Sequence, residues 1–188
     1  MTQSSPCQPT ARISARSSLA GLIALALAVT GQMAQAQDKR ELLGSFRDWD
    51  AFQLTRGNGE KMCYMVSVPK SWQASKPNVS RGDIYITVTH RPAAKVQDQV
   101  NTVVGYPLKD GSEVTARVDG GKPYALFTQG DGAWLYTEQD DRALVKAMRR
   151  GGTLVIKGTS SRGTDTTDRY SLIGFTAAHK AISRACGV

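Results

Sequence analysis

The sequence predicts a mainly β protein, an antiparallel β-sandwich carrying two short helices. Apolar and polar residues alternate over most of the chain, which is the two-residue period of half-buried strands. Turns rich in Gly, Asn and Asp interrupt that pattern at short intervals, and only two stretches switch to helical spacing. Two packed sheets with helices at the connections satisfy both observations.

Phe46 to Leu54 reads as a first strand, stopped by Arg56-Gly57-Asn58-Gly59, and Lys61 to Val68 follows with Tyr64, Val66 and Val68 on one face. Ser71 to Ser80, which holds Trp72, has too few apolar residues for a strand and reads as a loop. Asp83 to Arg91 is the cleanest strand, since Ile84, Ile86, Val88 and His90 alternate with Tyr85, Thr87, Thr89 and Arg91. Gln99 to Tyr106 continues the pattern up to Pro107, and Lys109-Asp110-Gly111-Ser112 turns the chain. Val114, Ala116 and Val118 share the next strand face. Tyr124 to Gln129 and Ala133 to Tyr136 pair around Gly130-Asp131-Gly132, a hairpin signal. Thr153 to Thr159 and Arg169 to Phe175 form a last hairpin with a long polar tip, Ser160 to Asp168.

The first helix is expected between Thr137, an N-cap with Asp140 three residues on, and a stop at Gly151. Ala143, Leu144, Ala147 and Met148 fall on its apolar side, and Arg142, Lys146, Arg149 and Arg150 on the other. The second helix begins after Thr176 and runs to about Ala185, with Ala177, Ala178, Ala181, Ile182 and Ala185 facing inward and Cys186 at the edge of that face.

Ahead of the strands, residues 1–36 have the order of a secretory signal peptide. Arg12 and Arg16 precede the apolar run Leu19 to Val29, and the small-residue triplet Ala34-Gln35-Ala36 follows. The run is far shorter than the roughly 20 residues that cross a bilayer, so export with cleavage after Ala36 is expected, not anchoring. Residues 37–188 then form one domain in the periplasm. Removing the two leader arginines takes the formal net charge from +8 to +6, a basic balance that favours anionic envelope surfaces. No nucleic-acid motif accompanies it, and no later segment resembles a membrane span.

Loss of Cys7 with the leader leaves Cys63 and Cys186. Two cysteines in an oxidising compartment are the minimal set for one disulfide, with two buried free thiols as the alternative.

Catalytic signals are weak. His90 closes an otherwise apolar strand face and reads as a satisfied histidine at a strand end. His179 and Ser183 are helical neighbours read as a surface contact, since no base or oxyanion site is evident beside Ser183. No two histidines or cysteines share a ligand spacing, and the Gly-rich stretches lie between strands, so neither metal nor cofactor is indicated. Arg81-Gly82-Asp83 reads as a turn into a strand, with integrin-type adhesion as the functional alternative. The basic face of Arg142, Lys146, Arg149 and Arg150 suits a solvated helix C-terminus, or contact with anionic lipid or polysaccharide. Trp72 and Trp134 are the aromatic candidates for a binding surface.

Several of these segments together resemble the invasion-associated locus B family. They are Phe46-x-x-Trp49, Met62-Cys63-Tyr64-Met65-Val66, Val103-Val104-Gly105-Tyr106-Pro107, Leu126-Phe127-Thr128 and the closing Ala185-Cys186-Gly187-Val188. The resemblance implies an immunoglobulin-like β-sandwich, a periplasmic or envelope location and no catalytic residues. For some pathogen members it implies a part in the invasion of host cells. A cysteine shortly after Trp49 is lacking, so a second disulfide of better-known members is absent. The expected function is therefore non-enzymatic binding of an envelope protein or glycan. The rival readings are a virulence factor at the outer surface and a cryptic hydrolase or inhibitor.

Overall fold

The computed structural model describes residues 37–188; the leader and its expected cleavage point lie outside them. Eleven strands are present among the described residues: β1 (Lys39–Phe46), β2 (Trp49–Thr55), β3 (Lys61–Ser67), β4 (Ser71–Ala74), β5 (Tyr85–Arg91), β6 (Val96–Val103), β7 (Glu113–Val118), β8 (Tyr124–Gln129), β9 (Gly132–Leu135), β10 (Thr153–Thr159) and β11 (Asp165–Ser171). Helix α1 (Glu138–Met148) follows β9, and α2 (Phe175–Cys186) closes the chain. The mainly β class with two helices is as the sequence predicts.

All strands pair antiparallel in one continuous sheet, ordered β1-β2-β3-β5-β6-β9-β8-β7-β10-β11-β4. The sheet curls until distant strands meet. The Trp49 indole N–H of β2 donates to the Ser171 carbonyl of β11 (3.0 Å), and the Asp48 N–H donates to the Ile173 carbonyl (3.3 Å). One core results, drawing Met65, Ile86, Val88 and Val100 from one half and Val114, Leu126, Leu154 and Ile156 from the other. The Trp49 ring meets Phe175 of α2 edge-on at 5.0 Å, an arrangement its quadrupole favours.

The local signals explain the elements. Thr137 caps α1 by accepting the Asp140 N–H (3.1 Å), and acidic Glu138, Asp140 and Asp141 suit its positive first turn. In α2 the buried residues Phe175, Ala178, His179 and Ile182 follow an i, i+3, i+4, i+7 stripe. Ala177, expected inside, is exposed.

Several boundaries differ from expectation, among them β6, expected over Gln99 to Tyr106 and found over Val96–Val103, and α2, which begins at Phe175 and not after Thr176. The first predicted strand corresponds to β2, and an additional strand, β1, precedes it across a turn at Arg47; Trp72 lies not in a loop but in β4, paired along β11. The last strand starts earlier, at Asp165, so the polar tip shrinks to Ser160–Thr164 and Asp165 to Asp168 become strand.

Gly174 sets the entrance to α2. Its φ is +92°, and a Cβ built there would lie 1.7 Å from the Phe46 carbonyl oxygen. Gly174→Ala combines a backbone strain of about 1–3 kcal/mol with that clash. A lower urea midpoint at unchanged slope is expected, with α2 contacts the first to loosen.

Candidate functional site

The expected Cys63–Cys186 disulfide is formed, with Cα atoms 5.9 Å apart. Cys63 is the register partner of His90 across β3 and β5, so the bond ties the last turn of α2 directly beside that histidine. Packing of α2 on β1, β2, β3 and β5 then aims His179 and Ser183 at the same spot.

A β-bulge completes the arrangement. Thr89 pairs with Gln99 but Arg91 with Val96, so β6 carries an extra residue opposite His90 and Asp98 is forced to φ +60°. Asp98 accepts from His179 Nε2 through Oδ1 at 2.7 Å, while its backbone N–H donates to His90 Nδ1 at 3.1 Å. His90 is fully buried, and Asp98 and His179 are nearly so. Burial holds the His90 imidazole below the usual histidine range, against the pull of Asp98. Burial also pushes the Asp98 carboxyl up, but the His179 hydrogen bond and the His179 and Arg149 charges outweigh it and hold it below the usual range. Nearby, burial takes Asp141 up to about 6 despite the Val100 N–H it accepts at 2.8 Å.

This geometry corrects one sequence reading. His179 is a buried partner of Asp98 and not a surface contact of Ser183, whose Oγ lies 3.2 Å from His90 Nε2 instead. Because His90 Nδ1 accepts a backbone N–H, its proton sits on Nε2 and points at the Ser183 oxygen. In that tautomer His90 cannot take the serine proton, so the trio lacks the base that nucleophilic catalysis requires.

Asp98 also lines a cleft of about 440 Å³, together with Arg142, Val145, Lys146, Arg149, Arg150 and Thr176. All four cations of the predicted helix face therefore converge on one concavity. Arg142 pairs with Glu138 at 3.3 Å, whereas Lys146, Arg149 and Arg150 form no ion pair among the described residues. Three free cations over one carboxylate leave a local charge of about +2.

Trp72 belongs to a different region. Its ring lies 5.2 Å from the Arg81 guanidinium, which Tyr106 flanks on another side at 5.1 Å. Arg81 is buried in a two-pronged pair with Asp168, so the Arg81-Gly82-Asp83 tripeptide offers no arginine to a receptor. Beside Tyr106 lies a larger cavity of about 570 Å³, lined chiefly by hydroxyl and proline side chains. Its two cations are Lys76, which donates to the Arg162 carbonyl at 2.8 Å, and Arg162 itself, and no acidic or histidine side chain lines it.

The residues that sequence reasoning missed are Asp98 and the buried role of His179. His179 had a signal, since it falls on the α2 stripe between Phe175 and Ile182. Asp98 had none, because a bulge position looks like any polar residue of a strand.

The class defined by these features is a mainly antiparallel β domain closed by a disulfide, with its ionisable groups gathered where the two helices meet the sheet. The profile of the Invasion associated locus B (IalB) protein family matches residues 49–183, and the chain belongs to that family. No curated protein and no solved structure matches it.

Proposed function

We propose that the chain is an exported, non-enzymatic protein of the bacterial envelope that binds a phosphate monoester through the cleft between α1 and Asp98. The observation carrying this reading is the convergence of Lys146, Arg149 and Arg150, none in an ion pair among the described residues, on one cleft. Their excess over Asp98 matches the charge of about −1.5 to −2 on such a group. Guanidinium forks suit its oxygens, and the lysine adds a point charge. Support for export comes from the leader and from a disulfide that a reducing compartment would not maintain. Support for a binding role, and against serine chemistry, comes from the His90 tautomer.

The phosphate could sit on a lipid headgroup or on a soluble glycan, and two probes separate these sources. Vesicles of phosphatidylcholine with phosphatidic acid present it on a membrane, and glucose 1-phosphate presents it free. Lys146→Glu with Arg150→Glu should weaken binding to the favoured probe by about thirtyfold or more, at about 1 kcal/mol for each cation lost. Wild-type binding should fade as salt rises. Absence of binding to both probes, or equal binding by the charge-reversed variant, rejects the reading.

A further inference from the structure

We propose that His90, Asp98 and His179 form a binding site for a divalent transition metal of the zinc class. The chain contains two histidines in 188 residues, and both converge on one carboxylate. They arrive from separate elements, β5, the β6 bulge and α2. One donor atom from each residue lies within 4.8 Å of the other two, and all three residues are buried. Linear spacing of 90, 98 and 179 gives no ligand motif, which is why the sequence alone indicated no metal.

The donor chemistry selects the ion. Two imidazole nitrogens and one carboxylate oxygen suit zinc and its neighbours, whereas calcium and magnesium demand oxygen ligands. Around an ion with tetrahedral bonds of about 2.0–2.2 Å the 3.9 Å His90 Nδ1 to Asp98 Oδ1 separation closes and the 2.7 Å His179 Nε2 to Asp98 Oδ1 separation opens, each by less than about 1 Å. Three protein ligands leave a fourth position open.

The surroundings fit as well. His90 Nε2 donates to Ser183 Oγ, so its lone pair lies on Nδ1, facing the other two donors. A metal there displaces the Asp98 N–H from that lone pair and replaces the Nε2 proton that His179 shares with Asp98 Oδ1, so His179 binds with its remaining proton on Nδ1. The Cys63–Cys186 bond holds α2, and with it His179, against β3, whose Cys63 is the cross-strand neighbour of His90 on β5. Asp98 is held at a positive φ that a non-glycine residue rarely adopts, and such strain gathers at ligand sites. Asp98 lines the basic cleft and keeps 12 % side-chain exposure, so solvent reaches the carboxylate. Arg149 beside Asp98 opposes a cation, and the site takes one only because two neutral imidazoles and one carboxylate face each other.

The test is calorimetric titration of the chelator-stripped, disulfide-bonded protein with zinc chloride, alongside cobalt(II) absorption. One zinc per chain, a raised thermal midpoint and cobalt bands of a four-coordinate site are expected. His179→Gln should lower affinity at least a hundredfold, and Ser183→Ala, which touches only the orientation of His90, by about tenfold. Both variants should keep the wild-type disulfide and circular dichroism, which separates lost binding from lost folding. A wild-type protein without stoichiometric zinc binding overturns the proposal. Binding that His179→Gln leaves unchanged overturns it too, since the ion would then lie elsewhere.

Discussion

Reducing the Cys63–Cys186 bond lowers the stability of the domain by about 5 kcal/mol, because the bond closes a loop across a sequence separation of 123 residues. The bond restricts the unfolded chain, and the restriction grows slowly with loop length. For a domain of this size the loss corresponds to a fall in thermal midpoint of roughly 10–20 °C. Cys63→Ser with Cys186→Ser should behave as the reduced protein does, whether followed by calorimetry or by urea unfolding. Since native stabilities run at about 5–15 kcal/mol, reduction brings the fold close to its threshold. The α2 contacts should weaken first, because Cys186 is the covalent hold on that helix. A reduced protein that melts within a few degrees of the oxidised one contradicts this assignment.

Arg81→Ala is the second large effect. Arg81 donates through Nη1 and Nη2 to the Asp168 carboxylate at 2.5 and 2.7 Å, and through Nε and Nη2 to the Val104 carbonyl at 3.0 and 2.7 Å. Both side chains are almost wholly buried, at 2 % and 1 % exposure. Truncation leaves the carboxylate of Asp168 charged and unpaired in the interior, at a cost of about 3–5 kcal/mol. The pair itself is worth less than that figure, because desolvation of both ions offsets their attraction. Arg81→Met with Asp168→Leu should therefore recover most of the loss, a strong coupling in a double-mutant cycle. Arg81→Lys should not recover it, since an ammonium cannot hold both carboxylate oxygens and the Val104 carbonyl in one plane. Urea midpoints of Arg81→Ala, Arg81→Lys, Arg81→Met, Asp168→Leu and the Arg81→Met, Asp168→Leu double measure all of this, and an additive cycle would refute it.

The same ion pair shows where the sequence was hard to read. Asp168 and Thr166 face inward from β11 because Arg81 and Tyr106 satisfy them there, so a buried strand looks like a polar loop. Both strands that sequence reasoning missed, β1 and β4, are the edges of the sheet. Edge residues are exposed and carry little of the alternation that burial imposes. Interior strands such as β5, the β8–β9 hairpin and the capped helix α1 were legible, because burial and capping act on nearby residues.

The site divides in the same way. Cys63, Cys186 and the four cations on α1 and just past its end were legible, the first two by elimination and the others by helical spacing. That the cations would share a cleft with Asp98 was not legible, since it depends on a bulge in β6 and on the docking of α2. A buried carboxylate between two histidines is a tertiary fact, assembled from three elements far apart in the chain.

Recovery of the chain from an osmotic-shock fraction of its native cells, with N-terminal sequencing and intact mass, bears most directly on whether it works outside the cytosol as a covalently closed domain. A start at Gln37 and a mass about two units below that of the reduced form, from the two hydrogens lost, are the predicted results. A start at Met1 with Cys63 and Cys186 both open to alkylation would contradict the account.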